Sequence, residues 1–103
     1  MIEIVPIPLG LILRDEYLAP LGITPYRLAT SIGVSRSALT KIFDGGRISP
    51  RLGLLFDAFF GLSEGFWSGL QSAYDLQQAR RAVGERAARV RADHPAERLR
   101  RAA

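Results

Sequence analysis

Between residues 36 and 44, polar side chains recur with the spacing of one face of an α-helix: Arg36, Ser37, Thr40, Lys41 and Asp44. The opposite face of this segment is apolar and consists of Leu39, Ile42 and Phe43. Arginine and lysine can donate to guanine O6 and N7, and serine and threonine can bond base edges or phosphates. A helix held to a core by its apolar face leaves such a polar face free to enter the major groove of DNA. Because an ordinary amphipathic helix has the same pattern, both interpretations stay open.

A tight turn is predicted to connect this helix to a preceding one. Thr24 and Pro25 predict the start of the preceding helix, because a threonine cap followed by proline suits a first helical turn. Gly33 predicts its end, since glycine tolerates the left-handed conformation that a tight turn needs. Ser35 predicts the cap of the next helix and, with the free backbone N–H groups that follow it, suits a phosphate. Residues 24–44 are therefore predicted to form a helix-turn-helix.

Helical signals continue on both sides of this motif, and strand signals are almost absent. A first helix is predicted around residues 9–17, where apolar residues fall at helical spacing. Proline, glycine and capping residues predict the limits of the flanking helices: an end near Pro20 and Gly22, a start at Ser49 and Pro50, an end at Gly61, and a start at Ser63 and Glu64. The only strand candidate is residues 2–5. The sequence therefore predicts an all-α domain of five helices.

The fifth helix is predicted to be long. Apolar residues keep a roughly heptad spacing along it, although the seam is mostly alanine and is interrupted by a glycine: Leu76, Ala79, Val83, Ala87 and Val90. His94 and Pro95 predict the end of any helix, because the residue before a proline avoids helical angles. We therefore predict one domain over residues 1–92 and a flexible tail over residues 93–103.

Positive charge is concentrated in two segments, although the formal net charge is only +4. Residues 24–51 hold five basic residues against one acidic residue, and residues 80–103 hold eight arginines against three acidic residues. Clustered positive charge suits a polyanionic partner. For the second segment three interpretations stay open: a solvated helix end, a nonspecific clamp on phosphates, and a segment that becomes ordered on a partner protein.

The composition argues against enzymes, metal sites and membrane proteins. The absence of cysteine excludes disulfides, thiolate zinc sites and thiol catalysis. His94 is the only histidine, and no Ser–His–Asp set or phosphate loop is recognisable, so we expect no catalytic residue, metal site or cofactor. No apolar run approaches the length of a membrane span, and the N-terminus does not look like a secretory signal. We therefore expect a cytoplasmic protein.

Two further groups of residues have a structural and a functional interpretation. Phe66 and Trp67 could bind a partner protein, but we expect them to pack at the end of the core. Asp75 follows a tyrosine, which could indicate a catalytic pair. We expect instead that Asp75 forms a local salt bridge with Arg47 or Arg51.

Several of these residues resemble known helix-turn-helix proteins. The turn and its flanking apolar residues are similar to the repressor-type (Xre/Cro-like) motif of phage repressors and their bacterial relatives, through Leu28, Ala29, Ile32 to Ser35, Leu39, Ile42 and Gly45. The pattern FFG…FW…LQ…YDL…AR over residues 59–80, and the opening segment 9–22, resemble more specifically the HigA-type antitoxins, also called plasmid-maintenance antidote proteins. The resemblance covers roughly residues 8–81. It implies a repressor-type helix-turn-helix domain.

The resemblance also implies roles for individual residues. It implies DNA contacts by six of them: Arg36, Ser37 and Lys41 as base-reading positions, Thr40 beside them, Ser35 as a cap that contacts phosphate, and Arg51 near the DNA backbone and minor groove. In related domains a glutamine often opens the second helix and contacts phosphate. Pro25 stands at that position, so Thr24 and Arg27 are the candidates to replace this contact.

By resemblance, the chain is expected to form a homodimer that binds a palindromic operator overlapping its own promoter. It is also expected to neutralise a toxin, typically a small ribosome-dependent mRNA endonuclease of the RelE-like class. Two alternatives stay open: a stand-alone transcriptional regulator without a toxin, and a helical adaptor that has lost DNA binding. Salt-dependent operator binding separates the adaptor from the others, and a small basic protein encoded immediately upstream favours the antitoxin.

The sequence also suggests surfaces for the two protein partners. For the dimer we expect an interface within residues 70–83, because the second and third helices must stay exposed. For the toxin, residues 1–23 offer apolar groups and the acidic residues Asp15 and Glu16. The segment 2–5 could pair with a sheet edge of the toxin or fold over its own core, and both interpretations stay open.

Overall fold

The computed structural model describes residues 7–95. The first helix, α1, combines an α-helical turn at Leu9–Ile12, a π-helical segment at Leu13–Leu18 and a final α-helical turn at Ala19–Leu21. The other helices are α2 (Pro25–Ile32), α3 (Arg36–Phe43), α4 (Pro50–Phe60) and α5 (Phe66–Ala92). No strand occurs between residues 7 and 95, so the predicted all-α architecture of five helices is confirmed. The strand candidate at residues 2–5 lies outside the described residues.

Three helix starts form where local capping residues predict them. The hydroxyl oxygens of Thr24, Ser35 and Ser49 accept hydrogen bonds from the backbone N–H groups three residues further on, at 3.1, 3.1 and 3.2 Å. Each bond satisfies a backbone donor that the first helical turn leaves without a partner. Gly33 ends α2 in the left-handed conformation, with φ at 74°. The helix-turn-helix predicted at residues 24–44 is therefore confirmed.

The predicted start of α5 at Ser63 is wrong, because the helix begins at Phe66. Its cap comes from another helix. The carboxylate of Asp57, a buried residue of α4, accepts hydrogen bonds from the backbone N–H groups of Gly65 and Trp67 at 2.9 and 3.1 Å. A capping pattern read along the chain cannot reveal a partner that tertiary packing supplies.

One apolar core holds the helices together, and its buried members come from all five helices and the loop after α3: Leu9, Leu13, Leu18, Leu28, Ala29, Leu39, Ile42, Ile48, Phe56 and Trp67. Trp67 is fully buried, and its ring centroid lies 5.5 Å from that of Phe56 and 5.1 Å from that of Tyr17. Phe66 remains 38% exposed at the edge. The expectation that Trp67 packs in the core is confirmed.

Helix α1 lies directly against the end of α3. A Cβ atom added at Gly10 would overlap the backbone carbonyl group of Ile42 and approach the Cα atom of Phe43 to 2.8 Å. Glycine is therefore required for this backbone-to-backbone contact. The contact fixes the last turn of α3 from one side while its outer face stays free.

Beyond the core, α5 extends into solvent. From residue 76 to its end the helix is exposed, except at Ala87, and the described protein measures 55 × 34 × 22 Å. Gly84 has non-helical angles (φ 36°, ψ −118°) and interrupts the helix. The helix ends at Ala92, just before His94 and Pro95, as predicted. Within residues 7–95, no helix combines the length and apolar character that crossing a bilayer demands.

Candidate nucleic-acid interface

The polar side chains of α3 lie on the face opposite the core. Leu39 and Ile42, on the inner face, are 1% and 3% exposed. Arg36, Ser37 and Lys41 are exposed on the outer face. Within residues 7–95 no carboxylate forms an ion pair with either cation of α3. Both cations can therefore interact with an external anion or base.

The two hydroxyl groups on the outer face of α3 differ in what they can donate. Thr40 Oγ1 donates a hydrogen bond to the carbonyl oxygen of Arg36 at 3.0 Å, a bond that ties its proton to the helix. No hydrogen bond of the Ser37 hydroxyl is found within the described residues. Ser37 can therefore both donate to and accept from a ligand, whereas Thr40 offers its methyl group and the remaining acceptor capacity of its oxygen.

Two adjacent clefts flank the start of α3. One cleft is lined by Ser35, Ser37 and Lys41, together with Arg47 from the following loop. The other is lined by Arg51 and by the turn at residues 32–34. The fold thus brings four of the predicted site residues to neighbouring positions around the start of α3.

Thr24 and Arg27 lie apart from these clefts, in the first turn of α2. Both are exposed, and neither lines either cleft. The hydroxyl oxygen of Thr24 accepts the backbone N–H of Arg27 at 3.1 Å, so the hydroxyl proton remains able to donate. The side chain of Arg27 forms no ion pair within residues 7–95.

A polar network attaches α5 to the loop that follows α3. Arg47 donates to both carboxylate oxygens of Asp75, at 2.7 and 2.8 Å, so the predicted salt bridge forms with Arg47 rather than with Arg51. The amide of Gln71 donates to Asp75 at 3.0 Å and accepts the backbone N–H of Ile48 at 2.8 Å. The Arg47 guanidinium, with a smaller contribution from Gln71, holds the pKa of Asp75 below its usual value. This network positions the chain that leaves α3.

Tyr26, a residue that sequence patterns did not single out, lies on the same outer surface. Its side chain is 60% exposed, and the guanidinium carbon of Arg36 lies over its ring, 5.6 Å from the centroid. The available signal was an aromatic residue at an exposed position of α2, one residue after Pro25. Its contact with Arg36 depends on the angle between α2 and α3, which the sequence does not specify.

The chemistry of this surface is non-covalent recognition of an anion. It combines exposed cations, hydroxyl groups and the backbone N–H groups at the start of α3, which are the groups that bind phosphates and base edges. Among residues 7–95, no group of three or more histidine, cysteine, aspartate or glutamate side chains could hold a metal ion.

Known proteins share both the sequence and this architecture. No profile of a known protein family matches the chain. The antitoxin HigA-1 of Vibrio cholerae is 33% identical to it over 82 residues, which cover 80% of this chain and 78% of that protein. The chain belongs to the HigA antitoxin family. The resemblance identified from the helix-turn-helix and the residue pattern at 59–80 is therefore confirmed.

Two solved structures extend the HigA likeness to three dimensions. The Pseudomonas aeruginosa antitoxin HigA, solved with the higBA promoter, has a TM-score of 0.72 and 36% identity, covering 79% of this chain and 89% of that chain. A Pseudomonas aeruginosa protein in complex with its 18-base-pair operator DNA has a TM-score of 0.76 and 35% identity, covering 82% and 90%. Both of these relatives were solved with DNA, and one of them is an antitoxin.

Proposed function

We propose that this HigA-family chain is a cytoplasmic DNA-binding antitoxin that represses transcription from an operator overlapping its own promoter. Helix α3 enters the major groove, where Arg36, Ser37 and Lys41 donate to base edges and Thr40 presents its methyl group. The observation that carries this proposal is the pair of exposed cations of α3, which form no ion pair within residues 7–95, on a helix whose opposite face is buried. The two relatives solved with promoter or operator DNA support it.

Side chains around α3 contact the DNA backbone in this proposal. The Ser35 hydroxyl and the first N–H groups of α3 bind one phosphate, and Arg51 reaches the backbone near the minor groove. Thr24 and Arg27 contribute a phosphate contact from the start of α2. Such contacts fix the register of the protein on the duplex and carry no direct sequence information.

A duplex that carries the DNA upstream of the chain's own gene tests this proposal. We expect it to bind at least about 10³-fold more tightly than a random duplex of equal length, as specific regulators do. The affinity for both duplexes should fall as salt rises, because phosphate contacts release counterions. Fluorescence anisotropy at several salt concentrations measures both quantities. Equal affinities, or binding that salt does not weaken, would contradict a sequence-specific repressor and favour the helical adaptor.

We also propose that two copies pair through α5, so that the dimer binds a palindromic operator. A single helix-turn-helix contacts few base pairs, and two-fold pairing places two recognition helices about 34 Å apart, one turn of DNA. The exposed apolar residues of α5 support this interface: Leu76 is 52% exposed, Val83 41% and Val90 71%. The predicted division into a domain over residues 1–92 and a tail over residues 93–103 depends on residues 1–6 and 96–103, which lie outside the described residues.

The second activity that we propose is neutralisation of a RelE-like mRNA endonuclease. A toxin that cleaves RNA needs a basic active surface, so its inhibitor should present acidic or apolar groups. Asp15 and Glu16 are exposed on α1, outside the helix-turn-helix. Arg14 forms an ion pair with Asp15 at 2.8 Å, which partly compensates the charge of Asp15. Of the two carboxylates, Glu16 therefore has the less compensated charge.

Charge reversal on α1 tests the toxin surface. We expect a variant with Asp15→Lys and Glu16→Lys to co-purify less toxin, encoded by the neighbouring reading frame, while operator binding is retained. Glu64→Lys with Glu85→Lys makes the same change in charge at exposed positions elsewhere and should leave the complex intact. Co-purification of toxin with the α1 variant at wild-type yield would move the toxin site elsewhere, toward Phe66 and Trp67. A chromosomal neighbourhood without a toxin gene would favour the stand-alone regulator.

A further inference from the structure

An aromatic ring of α2 lies under the first cation of α3. The guanidinium carbon of Arg36 is over the Tyr26 ring, 5.6 Å from its centroid, within the range of a cation–π contact. The ring is 60% exposed and therefore contributes little to the core. A large aromatic side chain that burial does not explain points to a role at the surface.

The backbone that carries Tyr26 is rigid relative to α3. The ring of Pro25 fixes φ at the position immediately before Tyr26, and the Thr24 hydroxyl caps the same helical turn at 3.1 Å. Leu28 and Ala29, both buried, anchor α2 to the core beside α3. The ring is therefore held at a fixed place beside the start of the recognition helix.

Arginine reads guanine only when its guanidinium is in the right plane. The bidentate contact with O6 and N7 uses two N–H groups at one edge of the guanidinium. An arginine attracted to a ring on one side can therefore keep the N–H groups on its other side free to bond a base. It also loses less side-chain freedom on binding than an arginine that moves freely in solvent. No carboxylate within residues 7–95 pairs with Arg36, so the cation–π contact with Tyr26 is the interaction that orients its guanidinium among these residues.

We infer that Tyr26 is a positioning residue that orients Arg36 for base reading, so that α2 contributes to sequence preference through α3. This inference rests on the proposed function, in which Arg36 reads a base pair. It identifies the aromatic ring, and not the phenol hydroxyl, as the active part of Tyr26. Loss of an exposed cation–π contact changes an equilibrium constant by about two- to fivefold.

The test uses a duplex that the full-length wild-type protein selects from a random-sequence library, with every single base-pair substitution of it. R36A defines the base pair that Arg36 reads. At that base pair we expect Y26L to reduce discrimination by about two- to fivefold. Y26F should discriminate like wild type, because it keeps the ring. In the R36A background Y26L should have no further effect, and a circular-dichroism melt should show that each variant is folded.

The possible contradictions separate this inference from the function on which it rests. Wild-type discrimination in Y26L, with loss in R36A, would overturn the positioning role alone. An equal loss in Y26L and Y26F would assign the effect to the hydroxyl group and also overturn it. An undiminished effect of Y26L in the R36A background would show that Tyr26 contacts DNA directly. Unchanged discrimination in R36A itself would overturn the base-reading role of Arg36, and with it this inference.

Discussion

The outer face of α3 contains two hydroxyl residues whose hydrogen bonds give them different capacities. The Thr40 hydroxyl donates to the carbonyl oxygen of Arg36, one turn earlier in the same helix. No such bond occupies the Ser37 hydroxyl within the described residues. If both side chains face the major groove, Ser37 can donate to a base or phosphate at no cost to the helix, whereas Thr40 must first give up an internal bond.

This difference predicts unequal effects of two small substitutions. Ser37→Ala should weaken operator binding by about 0.5–1.5 kcal/mol, the usual net contribution of one hydrogen bond. Thr40→Val keeps the size of the side chain and a methyl group, so it should leave the affinity within about twofold, a change below 0.5 kcal/mol. Titration of both variants with the same duplex gives the comparison. A larger loss for Thr40→Val would show that its hydroxyl leaves the helix to bind DNA.

At this scale, periodicity and residue chemistry predict which side chains are exposed but not which touch one another. The exposure of Arg36, Ser37 and Lys41 follows from helical spacing, because the inner face of the same turns is apolar. The cation–π contact of Arg36 with Tyr26 and the pairing of Arg47 with Asp75 depend on angles between helices. Residue types allow several such pairings, and packing of the core selects one.

At the scale of elements, α1 supports the recognition helix through a contact that only glycine permits. Gly10→Ala would force a methyl group onto the Ile42 carbonyl, and we expect the free energy of unfolding to fall by about 1–3 kcal/mol, as in other overpacked sites. Gly69→Ala is the matched control, because a Cβ atom there meets nothing within 4 Å. It should raise stability by roughly 0.5–1 kcal/mol, since glycine is unfavourable inside a helix. Urea titrations measure the free energy of unfolding of both variants. Equal values for the two variants would exclude close packing at Gly10.

A helix boundary can be predicted from sequence when the residues that define it are close together along the chain. Starts at Thr24, Ser35 and Ser49 could be predicted because each cap bonds a backbone group three residues away. The start of α5 could not, since its cap is Asp57 in a different helix. The π-helical segment in α1 also has no local signal, because its apolar spacing is that of an ordinary helix.

At the scale of the whole molecule, α5 exposes apolar side chains that the packing of one chain does not bury. Its apolar residues Leu76, Val83 and Val90 lie seven residues apart, yet they are largely exposed. Pairing of two copies through the part of α5 before the break at Gly84 would bury Leu76 and Val83 and set the distance between two recognition helices. The sequence predicted this seam by its spacing, but its partner lies outside one chain and cannot be read from that chain's own packing.

A pair of matched substitutions tests the dimer. Leu76→Glu places a charge in the proposed interface, and burying an unpaired charge is unfavourable. We expect the dissociation constant of the dimer to rise by tenfold or more, which corresponds to at least ~1.4 kcal/mol. Gln77→Glu makes a similar addition of charge at a neighbouring exposed position and should leave the dimer intact. Sedimentation velocity at micromolar concentration distinguishes the species. A wild-type protein that remains monomeric, both free and on operator DNA, would refute pairing through α5.

The measurement that tests the central proposal most directly is operator binding by the variant that lacks both cations of α3. Arg36→Ala with Lys41→Ala should weaken specific binding by about 30-fold or more, since each base contact contributes roughly 1–3 kcal/mol, and should abolish preference for the operator over random DNA. Arg89→Ala with Arg91→Ala removes the same charge from the exposed end of α5 and should retain that preference. If the α3 variant kept wild-type affinity and sequence preference, α3 would not be the recognition helix.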